Sequence, residues 1–195
     1  MRGIFNKFRD FFANQRRPIV TWVAILIGAA AIFILAALFV YNTTPHYAYK
    51  PLNACNLLTE ADASKLLQGQ TINNVTSPEI SGNTATSKCS YTDLQKNSDD
   101  TMVLALAIHS GINGDGVNEV KQDFVAAKDA NSSNIETVTS VGDQAFFNKI
   151  NGQLNVLDGR HWLIVNYGLG QSPETNDPAK SVDIAKQIIA NIPKD

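Results

Sequence analysis

The dominant hydrophobic pattern is an unbroken apolar run near the start of the chain. Pro18 to Tyr41 carries no charged residue, and Ile19 to Val40 is almost entirely Ile, Val, Leu, Ala, Phe and Gly. At 1.5 Å rise per residue the run from Ile19 to Val40 spans ~33 Å, against ~30 Å for a bilayer hydrocarbon core. The pattern predicts one transmembrane helix over residues 18–41, with Trp22 and Tyr41 at the two interfaces. Upstream, Ile4, Phe5, Phe8, Phe11 and Phe12 recur on one face of a helix. Residues 1–17 therefore read as a basic amphipathic segment lying on the inner leaflet, with Phe5, Phe8, Phe12, Arg16 and Arg17 at the membrane interface. A disordered cytoplasmic tail and a docking face for a protein partner are the alternatives.

After the apolar run the pattern changes to short segments punctuated by turn residues. Residues 42–54 hold Pro45 and Pro51 and read as an extended linker. Thr59-Glu60-Ala61-Asp62 is a helix start, and the helix runs to about Leu67. Thr71–Thr76 and Thr86–Leu94 read as strands on either side of a turn at Ser81-Gly82-Asn83. Thr101–His109 is apolar on both faces, which predicts a central strand covered on both sides. Val117, Val120, Phe124 and Val125 mark a helix of about fourteen residues by their spacing. Ala145–Phe147, Leu154–Leu157 and Trp162–Val165 are three apolar runs separated by Asn151-Gly152 and Asp158-Gly159, a three-stranded meander. Asp177-Pro178 opens a last helix whose apolar face is Val182, Ala185, Ile188, Ile189 and Ile192. The order predicts an α+β domain over residues 55–195, an antiparallel sheet with helices packed on one face.

Charge sets the topology. Residues 1–17 hold five basic groups against one acid, +4, and residues 42–195 hold eleven against seventeen, −6, which gives the chain's net −2. Arg16 and Arg17 abut the span, so the positive-inside rule places the N-terminus in the cytoplasm and the C-terminal domain outside it. A cleaved signal peptide would have an apolar region of ~7–15 residues ending in a small-x-small site; this run is longer, and an uncleaved signal-anchor fits better. Leu52-Asn53-Ala54-Cys55 looks like a lipobox but lies well beyond the apolar run. The acidic domain has no basic footprint for nucleic acid.

Both cysteines, Cys55 and Cys89, fall on the exported side, where disulfides persist. A Cys55–Cys89 bridge would pin the start of the domain to its second strand; the alternative is two buried free thiols. Chemistry is otherwise sparse. Asn113-Gly114-Asp115-Gly116 suggests a calcium loop, but the acid expected at Gly111 and the Glu expected at Gln122 are missing, so it reads as a turn capping the next helix. His46, His109 and His161 show no ligand spacing, and no nucleophile elbow is present. No catalytic, cofactor or metal residue is assigned, and no cofactor is expected.

Three segments together carry a resemblance: Asn53-Ala54-Cys55-Asn56-Leu57-Leu58-Thr59-Glu60-Ala61-Asp62-Ala63, Lys88-Cys89-Ser90-Tyr91, and Val141-Gly142-Asp143-Gln144-Ala145-Phe146-Phe147. The pattern resembles a group of exported domains of unknown function found in actinobacterial lipoproteins and surface proteins. There a C-x-L-L-T helix start is bridged to a C-x-Y/W strand, and a G-D-x-A turn precedes an aromatic strand. The likeness spans most of residues 53–192. It departs at the anchor, a transmembrane helix here in place of a lipidated cysteine. It implies a small cell-envelope domain for binding or sensing, and it supplies no catalytic residues. The expectation is a single-pass, non-enzymatic membrane protein whose partners are the lipid bilayer and a small ligand or envelope protein. An accessory subunit of another envelope protein and an unrecognised envelope hydrolase are the alternatives.

Overall fold

The computed structural model describes residues 49–93, 101–170, 172 and 176–193. Residues 49–195 form a compact unit of their own. The expected membrane span, with Trp22 and Tyr41, and the expected interfacial residues Phe5, Phe8, Phe12, Arg16 and Arg17 lie outside the described residues, as does His46. Among the described residues no helix is long and apolar enough to cross a membrane.

The domain is α+β, with one antiparallel seven-stranded sheet. In chain order the elements are α1 (Ala54–Leu57), α2 (Glu60–Leu67), β1 (Thr71–Ser81), β2 (Thr84–Asp93), β3 (Met102–Gly111), α3 (Gly114–Ala130), β4 (Ile135–Val138), β5 (Gln144–Asn148), β6 (Gln153–Asp158), β7 (His161–Leu169) and α4 (Pro178–Asn191). The spatial order is β1-β2-β3-β7-β6-β5-β4. The expected three-stranded meander gains a fourth strand, β4, paired to β5 from Ile135↔Asn148 to Val138↔Ala145. The strand expected at Thr71–Thr76 continues to Ser81, with a register shift between Thr76 and Glu79 around Pro78. Proline and an irregular register at an edge hinder pairing with a further strand.

Local chemistry explains the element ends. The Thr59 hydroxyl accepts from Asp62 N–H at 3.2 Å, while the Asp62 carboxylate accepts from Thr59 N–H at 3.2 Å, a reciprocal capping box at the head of α2. The Asn113 side chain accepts from Gly116 N–H at 2.9 Å and caps α3, so the calcium-like segment is a helix cap. Asp177 caps α4 ahead of the N1 proline by accepting from Ala179 N–H at 2.8 Å.

Strand alternation sorts the core into two layers. Leu104, Leu106 and Ile108 of β3, Leu163 and Val165 of β7, and Leu154 and Val156 of β6 share one face. They pack in one buried cluster with Leu58 near α1, Ala63 and Leu67 of α2, and Ala185 and Ile188 of α4. Phe146, Leu157 and Trp162 alternate with members of that cluster and so lie on the opposite face. There they pack with Val120 and Phe124 of α3. Phe124 sits 5.2 Å from the Phe146 ring and meets Trp162 edge-on at 6.1 Å. The expectation of helices on one face is therefore corrected: α1, α2 and α4 cover one face, and α3 crosses part of the other. The cause is the aromatic set Phe124, Phe146 and Trp162, whose burial needs a second layer.

The expected bridge is present: Cys55 and Cys89 are disulfide-bonded with Cα atoms 5.2 Å apart. In the chain-entropy model closure of this loop stabilises by about 3–4 kcal/mol. It is one of three ties from successive inward residues of β2 to residues 54–58. The Ala54 N–H donates to the Ser87 hydroxyl at 2.9 Å, and the Tyr91 hydroxyl donates to the Leu58 carbonyl at 2.9 Å. Burial, then the Glu60 and Asp62 carboxylates, raise the Tyr91 pKa, so the phenol keeps the proton it donates. Leu52 and Ala54, expected in the linker, pack against the core as well.

The Gly142-Asp143 turn is likewise structural. Gly142 has φ +61°, and a Cβ there would lie 2.5 Å from Val156 Cγ1 and 2.6 Å from the Leu157 carbonyl oxygen. Asp143 N–H donates to Leu157 O at 2.7 Å, and its carboxylate accepts from Gly159 N–H at 2.8 Å, locking the start of β5 to the β6–β7 hairpin. Gly82 shares the positive φ, at +58°, but faces open space. Gly142→Ala is expected to destabilise by about 2–4 kcal/mol, from left-handed backbone strain plus overpacking, and Gly82→Ala by about 1–2 kcal/mol, from the backbone alone. Urea unfolding of the two variants, measured side by side, checks the difference.

Candidate functional site

Among the described residues the face that α3 crosses is left open over its other half, and β3 decides the shape of that half. Ala105 and Ala107 point to this face, between Leu104, Leu106 and Ile108 on the other. Two small side chains at the centre of a sheet leave a depression where larger ones would stand. With Ile164 of β7 they floor an open trough of about 270 Å³. The expectation of a central strand covered on both sides is thus corrected. Aliphatic side chains cover one face of β3 fully, while α3 reaches the other only toward His109.

The rim is polar and comes from four strands. Asn74 of β1, Lys88 and Ser90 of β2, Gln153 at the start of β6 and Asn166 of β7 line the trough. The sheet register brings them together, with Asn74 opposite Ser90, Ser90 opposite Ala105, Ala105 opposite Asn166 and Asn166 opposite Gln153. Among the described residues Lys88 is the one charged residue in the lining, which includes no carboxylate. Beyond Asn166, Asn176 is buried and donates from Nδ2 to Asn166 Oδ1 at 2.8 Å and to the Gly152 carbonyl at 3.1 Å.

The structure separates the two described histidines. His109 lies on the trough side of β3, and His161 pairs with Ser110 on the other face. His109 stacks on Trp162 at 5.1 Å, with Nδ1 3.4 Å from the Thr86 hydroxyl. His161 Nδ1 lies 2.8 Å from the Ser110 hydroxyl. That serine is 2 % exposed. A nucleophile must be reached by its substrate, so the Ser110–His161 pair reads as a tie between the ends of β3 and β7. Tyr49 lies over it at 6.5 Å, with the Arg160 guanidinium 5.5 Å from the Tyr49 ring centre. Among the described residues no three His, Cys, Asp or Glu side chains cluster as metal ligands.

Besides Tyr91, two ionisable groups among the described residues are displaced from their ordinary range. Burial, then the nearby Asp143 carboxylate, raise the Asp158 pKa. Burial, then Lys88, lower that of His109, against a smaller opposing pull from Asp123. Neither side chain lines the trough. Of the residues named from sequence, Cys55 is absent from the lining and Cys89 borders it from the far side of β2. Lys88 and Ser90 were named only within a motif and Cys89 also for its bridge, and no trough residue was named as a binding site. The trough's one sequence signal was the alternation of alanine with leucine in β3, and nothing local marks the rim. Comparison with family models, with curated proteins and with solved structures finds no match for this chain.

The lowered His109 pKa has a consequence for stability. The folded protein favours the neutral ring, while the unfolded chain binds a proton near pH 6.5. The contribution is therefore fully present above that value and is lost as pH falls through the depressed folded pKa. Denaturant unfolding is expected to show stability falling from pH 7.5 to pH 5, with a shallower fall in His109→Gln.

Proposed function

We propose that this chain is a single-pass cell-envelope membrane protein whose exported domain binds a ligand in the trough on the open face of its sheet. The trough carries the binding reading: an apolar floor with convergent polar groups is the usual form of a small-molecule site. Its volume is slightly below the usual range of ~300–1,000 Å³, which suits a small molecule or one end of a longer one. The floor rests on a fully packed core, so the groups above it are held by a rigid scaffold.

The envelope location is supported by the apolar run at 18–41, by its basic cytoplasmic flank, and by the Cys55–Cys89 disulfide, a bond that persists in oxidising compartments. The resemblance to exported domains of actinobacterial surface proteins agrees with it. In this reading residues 1–17 stay on the inner leaflet, the bilayer is a permanent partner, and the domain acts by binding without catalysing a reaction.

Topology and binding are tested separately. Protease added to intact cells should remove residues 55–195 and spare the N-terminal segment; protection of the domain would overturn the exported location. For binding, ligand-observed NMR of the full-length protein with an envelope small-molecule extract should show saturation transfer that Ala107→Leu abolishes. The new leucine fills the floor and points away from the core. Transfer that is absent, or equal in the two proteins, would overturn the trough as a site.

A further inference from the structure

The trough's hydrogen-bonding groups are not neutral in sense, because neighbouring amides fix which end of two of its rim carboxamides, Asn166 and Gln153, faces a ligand. Asn166 Oδ1 accepts from Asn176 Nδ2 at 2.8 Å. The orientation of Asn176 is set in turn by the main chain, since the same Nδ2 donates to Gly152 O at 3.1 Å. Flipping Asn176 would set its oxygen against that carbonyl. Gln153 Oε1 accepts from Asn151 Nδ2 at 3.0 Å, and Asn151 is likewise fixed because its Oδ1 accepts from Gln153 N–H at 3.2 Å. Of the three rim carboxamides, Gln153 and Asn166 therefore have their oxygens held by bonds from outside the trough, which turns Asn166 Nδ2 and Gln153 Nε2 toward a ligand, while Asn74 at the β1 edge is free to turn either end. The two directed NH₂ groups are donors.

The charge has the same sense. Lys88 is exposed and makes no ion pair among the described residues, while the domain around it is acidic, −6 over residues 42–195. Among the described residues the lining offers one ammonium, two directed NH₂ groups and no carboxylate, opposite in sign to the domain's net charge. We propose that the trough is an anion site that takes a carboxylate joined to a short aliphatic group. This rests on the reading of the trough as a binding site. The backbone N–H groups beneath are spent on the sheet ladder, and a single lysine balances one negative charge, so a carboxylate fits better than a phosphate dianion. Ala105, Ala107 and Ile164 leave room for an aliphatic group of alanine or butyrate size. The carboxylate can belong to a free acid or to the end of a peptide.

The test uses ¹⁵N-labelled full-length protein in detergent, titrated with butyrate, N-acetylalanylalanine and the C-terminal amide of that dipeptide. At least one of the two acids should shift the amide resonances of Ser90, Ala105 and Ala107. Its affinity should fall about tenfold in Lys88→Ala and persist in Lys88→Arg, since a charge-assisted hydrogen bond has about that weight. Butyrate binding assigns the site to free acids, and binding of the dipeptide acid without butyrate assigns it to a chain terminus. The dipeptide amide should bind about tenfold more weakly than its acid, or not at all. If acid and amide bind alike and Ala107→Leu blocks both, the trough remains a ligand site and the anion assignment falls. Acid binding that survives Ala107→Leu removes both readings. The absence of shifts with either acid overturns the carboxylate proposal.

Discussion

The rest of the structure depends on the uneven packing of β3. Its inward residues are Leu104, Leu106 and Ile108, all essentially inaccessible to solvent, and its outward residues include Ala105 and Ala107. The strand is the hub of the sheet, bonded to β2 on one side and β7 on the other. Large side chains on one face give α1, α2 and α4 a surface to bury. Small ones on the other let the backbone floor of the sheet be approached from solvent. Each inward aliphatic contributes about 1.5–3 kcal/mol by burial, and the alanines contribute far less, so the stable layer and the accessible layer belong to the same ten-residue strand.

How much of this was legible follows from how local each signal is. The capping box at Thr59, the proline at the head of α4 and the turn at Ser81-Gly82-Asn83 were readable because each is decided within a few residues. The Cys55–Cys89 pairing was readable because two cysteines admit one bond. The strand β4 was missed: Ile135–Val138 is four residues long, and pairing with β5 organises it more than any pattern of its own. The side taken by α3 was missed for a related reason. Its Val120 and Phe124 declare an apolar face, but only the register of β5, β6 and β7 puts Phe146, Leu157 and Trp162 opposite it. The rim is the extreme case, since Asn74, Lys88, Gln153 and Asn166 become neighbours only through four strands.

The short motifs that suggested kinship have physical explanations within this chain. In the Cys89-Ser90-Tyr91 segment the alternate residues both reach residues 54–58, one by a covalent bond and one by a hydrogen bond. In Gly142-Asp143 the glycine meets the close approach of Val156 and Leu157, and the aspartate holds the β6–β7 hairpin. Both are framework devices. Sharing them with other exported domains would speak to a common scaffold, and the trough, which takes only Lys88, Cys89 and Ser90 from those segments and the rest of its lining from other strands, is free to differ between chains that share it.

The disulfide also determines how the domain would carry mechanical load. Tension arriving along the chain before Tyr49 reaches Cys55 within a few residues and crosses the sulfur bridge into β2. That strand is hydrogen-bonded to both β1 and β3, so the pull passes into two ladders of the sheet without first peeling α1 and α2 from the core one contact at a time. The segment enclosed by the bridge, residues 56–88, is thereby held out of the path of the load.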